Sequence, residues 1–242
     1  MKDLNVIESN NNIIEINSLT KKYRKKIALD DISIQIPKGK IVGLLGPNGS
    51  GKTTLMKVLS GVICNYQGEV FINKKEIGVE TKKIVSYLPD KPYFAKWMRP
   101  VDVIKIFKDF YKDFKEDKMM SMLDSLGVDT KQKIVTMSKG MIERLQLSLV
   151  MSRDALLYVL DEPLGGVDPA TRDYILDTII KNYNPEGTVL ISTHLIEDVE
   201  KVFDSVIFIK QGKIVLFEEV DEIREKYNKS VDELFREEFK CF

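Results

Sequence analysis

Cysteine, histidine and tryptophan are scarce in this chain: two, one and one among 242 residues. Cys64 and Cys241 make neither a disulfide framework nor a metal-ligand spacing, so both are expected to be free thiols in a reducing compartment. An excess of charge is also missing, because 37 Lys and Arg balance 37 Asp and Glu. No basic surplus draws the protein to nucleic acid or to an anionic membrane, and a role centred on nucleic acid loses ground. Long apolar runs are absent as well. The longest pure run, residues 155–160, falls far short of the roughly 18 residues needed to span a bilayer. Residues 1–12 are polar, carry acids and lack an apolar segment, so they are not expected to be a signal peptide. The chain is expected to be soluble, with any membrane attachment supplied by a partner.

What is present suits one large α/β domain over residues 1–242, since 43% of the residues are hydrophobic. Residues 13–16 and 32–36 (ISIQI) alternate as half-buried strands do. Residues 41–45 are continuously apolar, as in a strand covered on both faces. Further strands are expected at 69–73, 84–88, 156–160, 189–192 and 206–209, with a hairpin around Gln211-Gly212. Residues 52–59 read as a helix. From 100 to 151 the pattern becomes helical: Val103, Phe107, Phe110 and Phe114 recur at helical spacing, and 119–126 continue it. The tail, 218–239, is charged and reads as a solvated helix.

Residues 46–54 read GPNGSGKTT and satisfy G-x-x-x-x-G-K-[ST] through Gly46, Gly51, Lys52 and Thr53. Glycines let consecutive backbone N–H groups wrap a polyphosphate. The helix that follows turns its positive end to the anion. Lys52 supplies a point charge to the outer phosphates, and the Thr53 hydroxyl is placed to ligate Mg²⁺. At ordinary residue frequencies a random chain this long matches about one time in a hundred. Here the motif also lies between an apolar strand and an amphipathic helix, the context that it requires.

An apolar strand ending in Asp161 puts a carboxylate at the sheet edge where the phosphate loop opens, suited to hold Mg²⁺. Glu162 follows at once and can orient and deprotonate a water. Acids also simply end strands, and it is the combination with the phosphate loop that favours chemistry. His194, the one histidine, comes just after a strand, in the order Ser-Thr-His, and points to the same edge.

Together these pieces resemble the nucleotide-binding domain of the ATP-binding-cassette (ABC) family over residues 13–212. The resemblance implies a P-loop NTPase core with a mixed sheet, an N-terminal antiparallel β subdomain, and a helical signature subdomain at about 92–152, with a helical tail at about 218–242. It implies an ATP site built from Gly46, Pro47, Asn48, Gly49, Ser50, Gly51, Lys52, Thr53 and Thr54, with Tyr23 stacked on adenine. Residues 137–141 (MSKGM) fall where the family carries LSGGQ. Ser138, Lys139 and Gly140 would contact ATP held by an opposing copy, with Ser138 and the Gly140 backbone donating to the γ-phosphate. Residues 165–168 (GGVD) match the D-loop, which adds Asp168. Asp161 and Glu162 match the Walker B aspartate and the catalytic glutamate, and His194 matches the switch histidine. Lys52, Glu162 and His194 are thus the catalytic expectation, and Thr53, Asp161 and Asp90 the Mg²⁺ expectation.

Three positions depart from the family pattern. Lys139 replaces a signature glycine and Met141 a glutamine; SKGM variants resemble those of bacterial drug, peptide or antibiotic exporters. Asp90 stands where the family usually has a glutamine, which puts its metal contact and its coupling to a partner in question. Tyr93, Phe94 and Trp97 follow it, either as a socket for a membrane subunit or as packing within the helical segment. The resemblance implies an ATPase working as a homodimer, or as a heterodimer with a related subunit, on the inner face of the membrane. A separate integral permease would complete the transporter, and export is the expected direction. The alternative is a soluble ABC ATPase without a membrane partner; translation types carry two cassettes per chain, and repair types carry insertions or zinc motifs. A P-loop kinase or GTPase is disfavoured, because no N-K-x-D follows and MSKGM would go unexplained.

Overall fold

The computed structural model describes residues 11–24 and 26–240. Residues 1–10 of the 1–12 stretch read for a signal peptide, and the thiol of Cys241, therefore lie outside the described residues. The elements run β1 (Asn12–Tyr23), β2 (Lys26–Pro37), β3 (Ile41–Leu45), α1 (Lys52–Leu59), β4 (Gln67–Ile72), β5 (Lys75–Glu76), α2 (Val79–Lys82) and β6 (Val85–Leu88). There follow α3 (Pro100–Phe110), α4 (Glu116–Ser125), α5 (Lys139–Met151), β7 (Leu157–Asp161), α6 (Pro169–Asn182), β8 (Thr188–Thr193) and α7 (Ile196–Val199). The chain closes with β9 (Ser205–Lys210), β10 (Lys213–Glu219), α8 (Val220–Tyr227) and α9 (Val231–Glu238).

Two sheets form. The first is antiparallel, in the order β2-β1-β4-β5. The second has the order β10-β9-β3-β8-β7-β6, parallel throughout except for β10. Every residue of β3, β7 and β8 is buried, as expected of central parallel strands covered on both faces. One core cluster, with Leu55, Met56 and Leu59 of α1, fills the space between the sheets; another, with Leu160, Ile191 and Phe208, lies on the opposite face. β1 and β2 run past the expected limits of 13–16 and 32–36. Register shifts along the pair, and the left-handed backbone at Ser18 and Asp31, carry pairing across breaks in the apolar alternation.

The stretch from α3 to α5 builds its own apolar cluster around Val103, Phe107, Met119, Leu123, Leu145 and Leu149. The expected stripe breaks at its end. Phe110 is 79% exposed, and Phe114 reaches the cluster from beyond the helix, because the chain turns extended at Tyr111. Arg153 fastens this unit to the sheet. It is 2% exposed and grips Asp113 through Nε at 3.1 Å and Nη2 at 3.0 Å. It also donates to the carbonyls of Lys83 and Val85 and stacks 3.8 Å from the Tyr111 ring.

The tail is not one solvated helix. α8 and α9 bury Val220, Ile223, Val231 and Leu234, and Phe235 and Phe239 pack on Phe208 of the core. Ser230 and Glu233 form a reciprocal capping box that starts α9.

Candidate active site

The loop between β3 and α1 must bend sharply and stay thin. Gly49 and Gly51 have φ of +81° and +118°. A Cβ on Gly46 would stand 2.3 Å from the Ile209 carbonyl, and one on Gly51 2.6 Å from that of Ala28. Glycine is therefore a steric requirement at both ends of the loop. Gly51 sits at the N-cap of α1 without a side-chain cap, which leaves first-turn N–H groups facing outward for an anion. Lys52 opens α1 with its ammonium folded over the loop, donating to the Gly46 carbonyl at 2.7 Å and to the Pro47 carbonyl at 3.5 Å.

The loop floors a cleft of about 560 Å³. Asn48, Gly49, Ser50, Gly51, Lys52, Thr53 and Thr54 line it, together with Tyr23, Asp90, Lys139, Glu162 and His194. Residues 48–54, Asp90, Glu162 and His194 meet here because the parallel strands β3, β6, β7 and β8 deliver their carboxyl ends to one edge, while Tyr23 and Lys139 come from the antiparallel sheet and the start of α5. Lys26 and Ala28 also line the cleft, from the strand that pairs Lys26 with Tyr23. Sequence reasoning missed both; the signal was their place across a tight hairpin from the tyrosine.

Asp161 is buried at the end of β7. Its Oδ1 accepts from the Thr53 hydroxyl at 3.2 Å and from Ser192 Oγ at 2.8 Å. Its Oδ2 is buried with no hydrogen-bond partner among the described residues. Burial raises the carboxyl above the usual Asp range; the hydroxyls of Ser192 and Thr53 oppose this, and the nearby charges of Asp90 and Glu162 add to it. A free carboxylate oxygen beside a threonine hydroxyl is the hard-oxygen donor set that suits Mg²⁺. Ser192 was legible only as a strand end, yet its hydroxyl also accepts from the Glu162 N–H at 2.9 Å and so ties the two acids to β8.

Glu162 leaves the strand in a left-handed conformation, φ +51°, uncommon for a residue with a side chain. The kink turns its carboxylate into the cleft. Oε1 lies 3.5 Å from Lys52 Nζ and Oε2 2.8 Å from His194 Nδ1. The three expected catalytic side chains therefore meet at one carboxylate.

The signature residues divide. Ser138 caps α5, its Oγ accepting from the Met141 N–H at 3.3 Å, and neither it nor Gly140 lines this chain's cleft. Lys139 does, where the resemblance placed it at an opposing copy's nucleotide. Its ammonium lies 3.5 Å from Glu143 and close over Gly166, because a long lysine stem spans a gap that a glycine would leave open. Asp168, in the stretch that matches the D-loop, starts the next helix. It is the N-cap of α6, its carboxylate accepting from the Thr171 N–H at 3.1 Å and hydroxyl at 2.6 Å, and it does not line the cleft. Past Asp90, Phe94 packs on the helical cluster, while Tyr93 and Trp97 are 52% and 70% exposed.

A phosphate loop at the carboxyl edge of a mostly parallel sheet, faced by an acidic strand end, defines a P-loop nucleotide hydrolase. The ABC transporter family model matches residues 29–165, and the chain belongs to that family. It is 31% identical over 212 residues to the lantibiotic transport ATP-binding protein SrtF of Streptococcus pyogenes, covering 86% of this chain and 92% of that one. It is 32% identical over 218 residues to an uncharacterized ABC transporter ATP-binding protein of Methanocaldococcus jannaschii, covering 88% and 80%. A solved ATP-binding subunit of an ABC transporter superposes with TM-score 0.84 at 24% identity, over 94% of this chain and all of that one. A dimeric cassette solved with ADP and Pi after hydrolysis superposes with TM-score 0.75 at 19% identity, over 85% and 98%. The protein is thus an ATP-binding, ATP-hydrolysing subunit of an ABC transporter, with the α/β fold that the resemblance implied. Among the described residues, no helix is long and apolar enough to cross a membrane.

Proposed function

We propose that this subunit powers export through a separate integral permease, working from the cytoplasmic face of the membrane as one half of an ATPase pair. The observation that carries the catalytic part is the convergence of Lys52 and His194 on Glu162, beside the free oxygen of Asp161. The backbone of residues 46–54 wraps the phosphates, and Tyr23 stacks on the base. Thr53 and Asp161 would hold Mg²⁺, with Asp90 at the cleft wall, and the bound cation would supply charge neutralisation for the transferring phosphoryl group.

Glu162 accepts a proton from water as that water's oxygen bonds to the γ-phosphorus and the bond to the ADP oxygen breaks. An Nδ1–H tautomer of His194 donates to Oε2 and fixes the carboxylate's direction. Lys52 carries positive charge to the phosphates. Because Ser138 and Gly140 lie off this chain's own cleft, they serve ATP bound by the opposing subunit, itself an identical copy or a related one. Exposed Tyr93 and Trp97, just past Asp90, provide the permease contact. Similarity to a lantibiotic transport protein supports export.

The test is co-purification from membranes. The wild-type chain should bring down an integral membrane protein and hydrolyse ATP in preference to GTP. Trp97→Ala with Tyr93→Ala should lose the membrane protein while retaining basal hydrolysis. An active ATPase that never associates with a membrane protein would overturn the transporter reading in favour of a free-standing ATPase.

A further inference from the structure

Tyr87 lies in β6 opposite Val159 of the parallel strand β7. Asp161 is two residues beyond Val159. Alternation along paired strands puts Tyr87, Val159 and Asp161 on one face of the sheet, the face that carries α1 and Thr53. The ring of Tyr87 packs in the cluster shared with Val159 and α1.

Its hydroxyl does not fit that apolar setting. Tyr87 Oη is buried and, among the described residues, has no hydrogen-bond partner. Asp161 Oδ2, on the same face, is in the same condition. One of these atoms can donate and the other can accept, and they do not bond each other directly. A phenylalanine would fill the ring's space without burying an unpaired polar atom, so the hydroxyl calls for an acceptor that the described residues do not provide. Burial, and after it the charges of Asp161 and Asp90, push the Tyr87 phenol well above its ordinary value, so it remains an O–H donor.

We infer that Tyr87 is a positioning residue of the cation site. Its hydroxyl donates to a water shared with Asp161 Oδ2 and so holds that oxygen toward the cation. This rests on the reading of Asp161 as a cation ligand. The test uses the full chain with a non-hydrolysable ATP analogue and Mn²⁺ as the probe, its binding followed by paramagnetic relaxation of water. Wild type, Tyr87→Phe and Asp161→Asn are compared.

Tyr87→Phe should melt at or above the wild-type temperature and bind the analogue normally in EDTA, while its Mn²⁺ dissociation constant rises about tenfold, as when an outer-shell partner of a ligand is lost. A lower melting temperature would mean that the hydroxyl serves the fold, and would overturn the inference. So would an unchanged Mn²⁺ constant while Asp161→Asn binds Mn²⁺ weakly, and the cation reading would then stand. An unchanged constant in both variants would overturn both.

Discussion

Glu162 Oε2 stands 2.8 Å from His194 Nδ1, although the two residues leave different strands, β7 and β8. Ser192, two residues before His194, holds the backbone N–H of Glu162, so the strand ends are tied at the backbone as well as through the side chains. The left-handed φ of Glu162 is the local cost of aiming its carboxylate between His194 and Lys52. A glutamine at this position would keep the shape and the histidine contact but could not take a proton. Glu162→Gln should therefore bind ATP within a few-fold of wild type, lose about 10²–10⁴ in turnover, and accumulate as a dimer with ATP. Single-turnover phosphate release and light scattering check this. A variant that stays monomeric in saturating ATP would count against the shared-nucleotide arrangement.

His194→Ala removes the group that fixes Oε2 while leaving the base and the phosphate loop in place. Turnover should fall by at least about tenfold, with little change in KM. His194→Gln, which can still donate to Oε2, should recover part of the loss. Wild-type turnover in His194→Ala would reduce the 2.8 Å contact to a neighbourly one.

Asp161 sets function against stability. Its folded carboxyl titrates above the ordinary Asp value, chiefly through burial. The folded state thus binds a proton more readily than the unfolded chain does. Stability conferred by the protonated form is complete below the unfolded-chain value and is lost as pH rises through the folded one. At neutral pH and without divalent cation, the charge is a net burden on the fold. Asp161→Asn should then raise Tm by about 2–4 °C, the shift expected of about 1 kcal/mol in a domain of this size. It should also flatten the acid side of the stability profile and abolish the extra stabilisation that Mg²⁺ adds to that of ATP in wild type. A lower Tm in the variant, measured by calorimetry in EDTA, would show that the carboxylate is better satisfied than its unpaired Oδ2 implies.

The parallel strands and the phosphate loop were legible in the sequence because their constraints are local. A strand such as β3, buried on both faces, must be apolar throughout, and a loop with backbone as close as Gly46 to Ile209 must be glycine. What stayed hidden depended on distant neighbours. Lys26 and Ala28 reach the cleft only because the antiparallel sheet folds over the loop. The tail's charges masked the inward spacing of Val220, Ile223, Val231 and Leu234, which has meaning only once Phe208 lies beneath it. No local pattern announces Arg153, since its partners are 40 to 70 positions away.

That arginine joins two parts of the molecule that have separate apolar clusters. Asp113 and Tyr111 belong to the helical unit, and the carbonyls of Lys83 and Val85 belong to the approach to β6. β6 leads directly to Asp90 and the cleft wall. Truncation to Arg153→Met would leave a carboxylate and two carbonyls facing a side chain that cannot donate. Breaking a buried pair from one side costs about 3–5 kcal/mol, so Tm should fall by about 6–20 °C at 2–4 °C per kcal/mol. Arg153→Lys keeps the charge but loses the two-pronged grip and the stacking on Tyr111, and should recover only part of the loss. Asp113→Asn should cost less than Arg153→Met, because Asp113 is partly open to solvent and its amide can still accept. Thermal melts of the three variants check the order. If Arg153→Met matched wild type, the helical unit would be held to the sheet by apolar contact alone, and the clasp would be incidental to it.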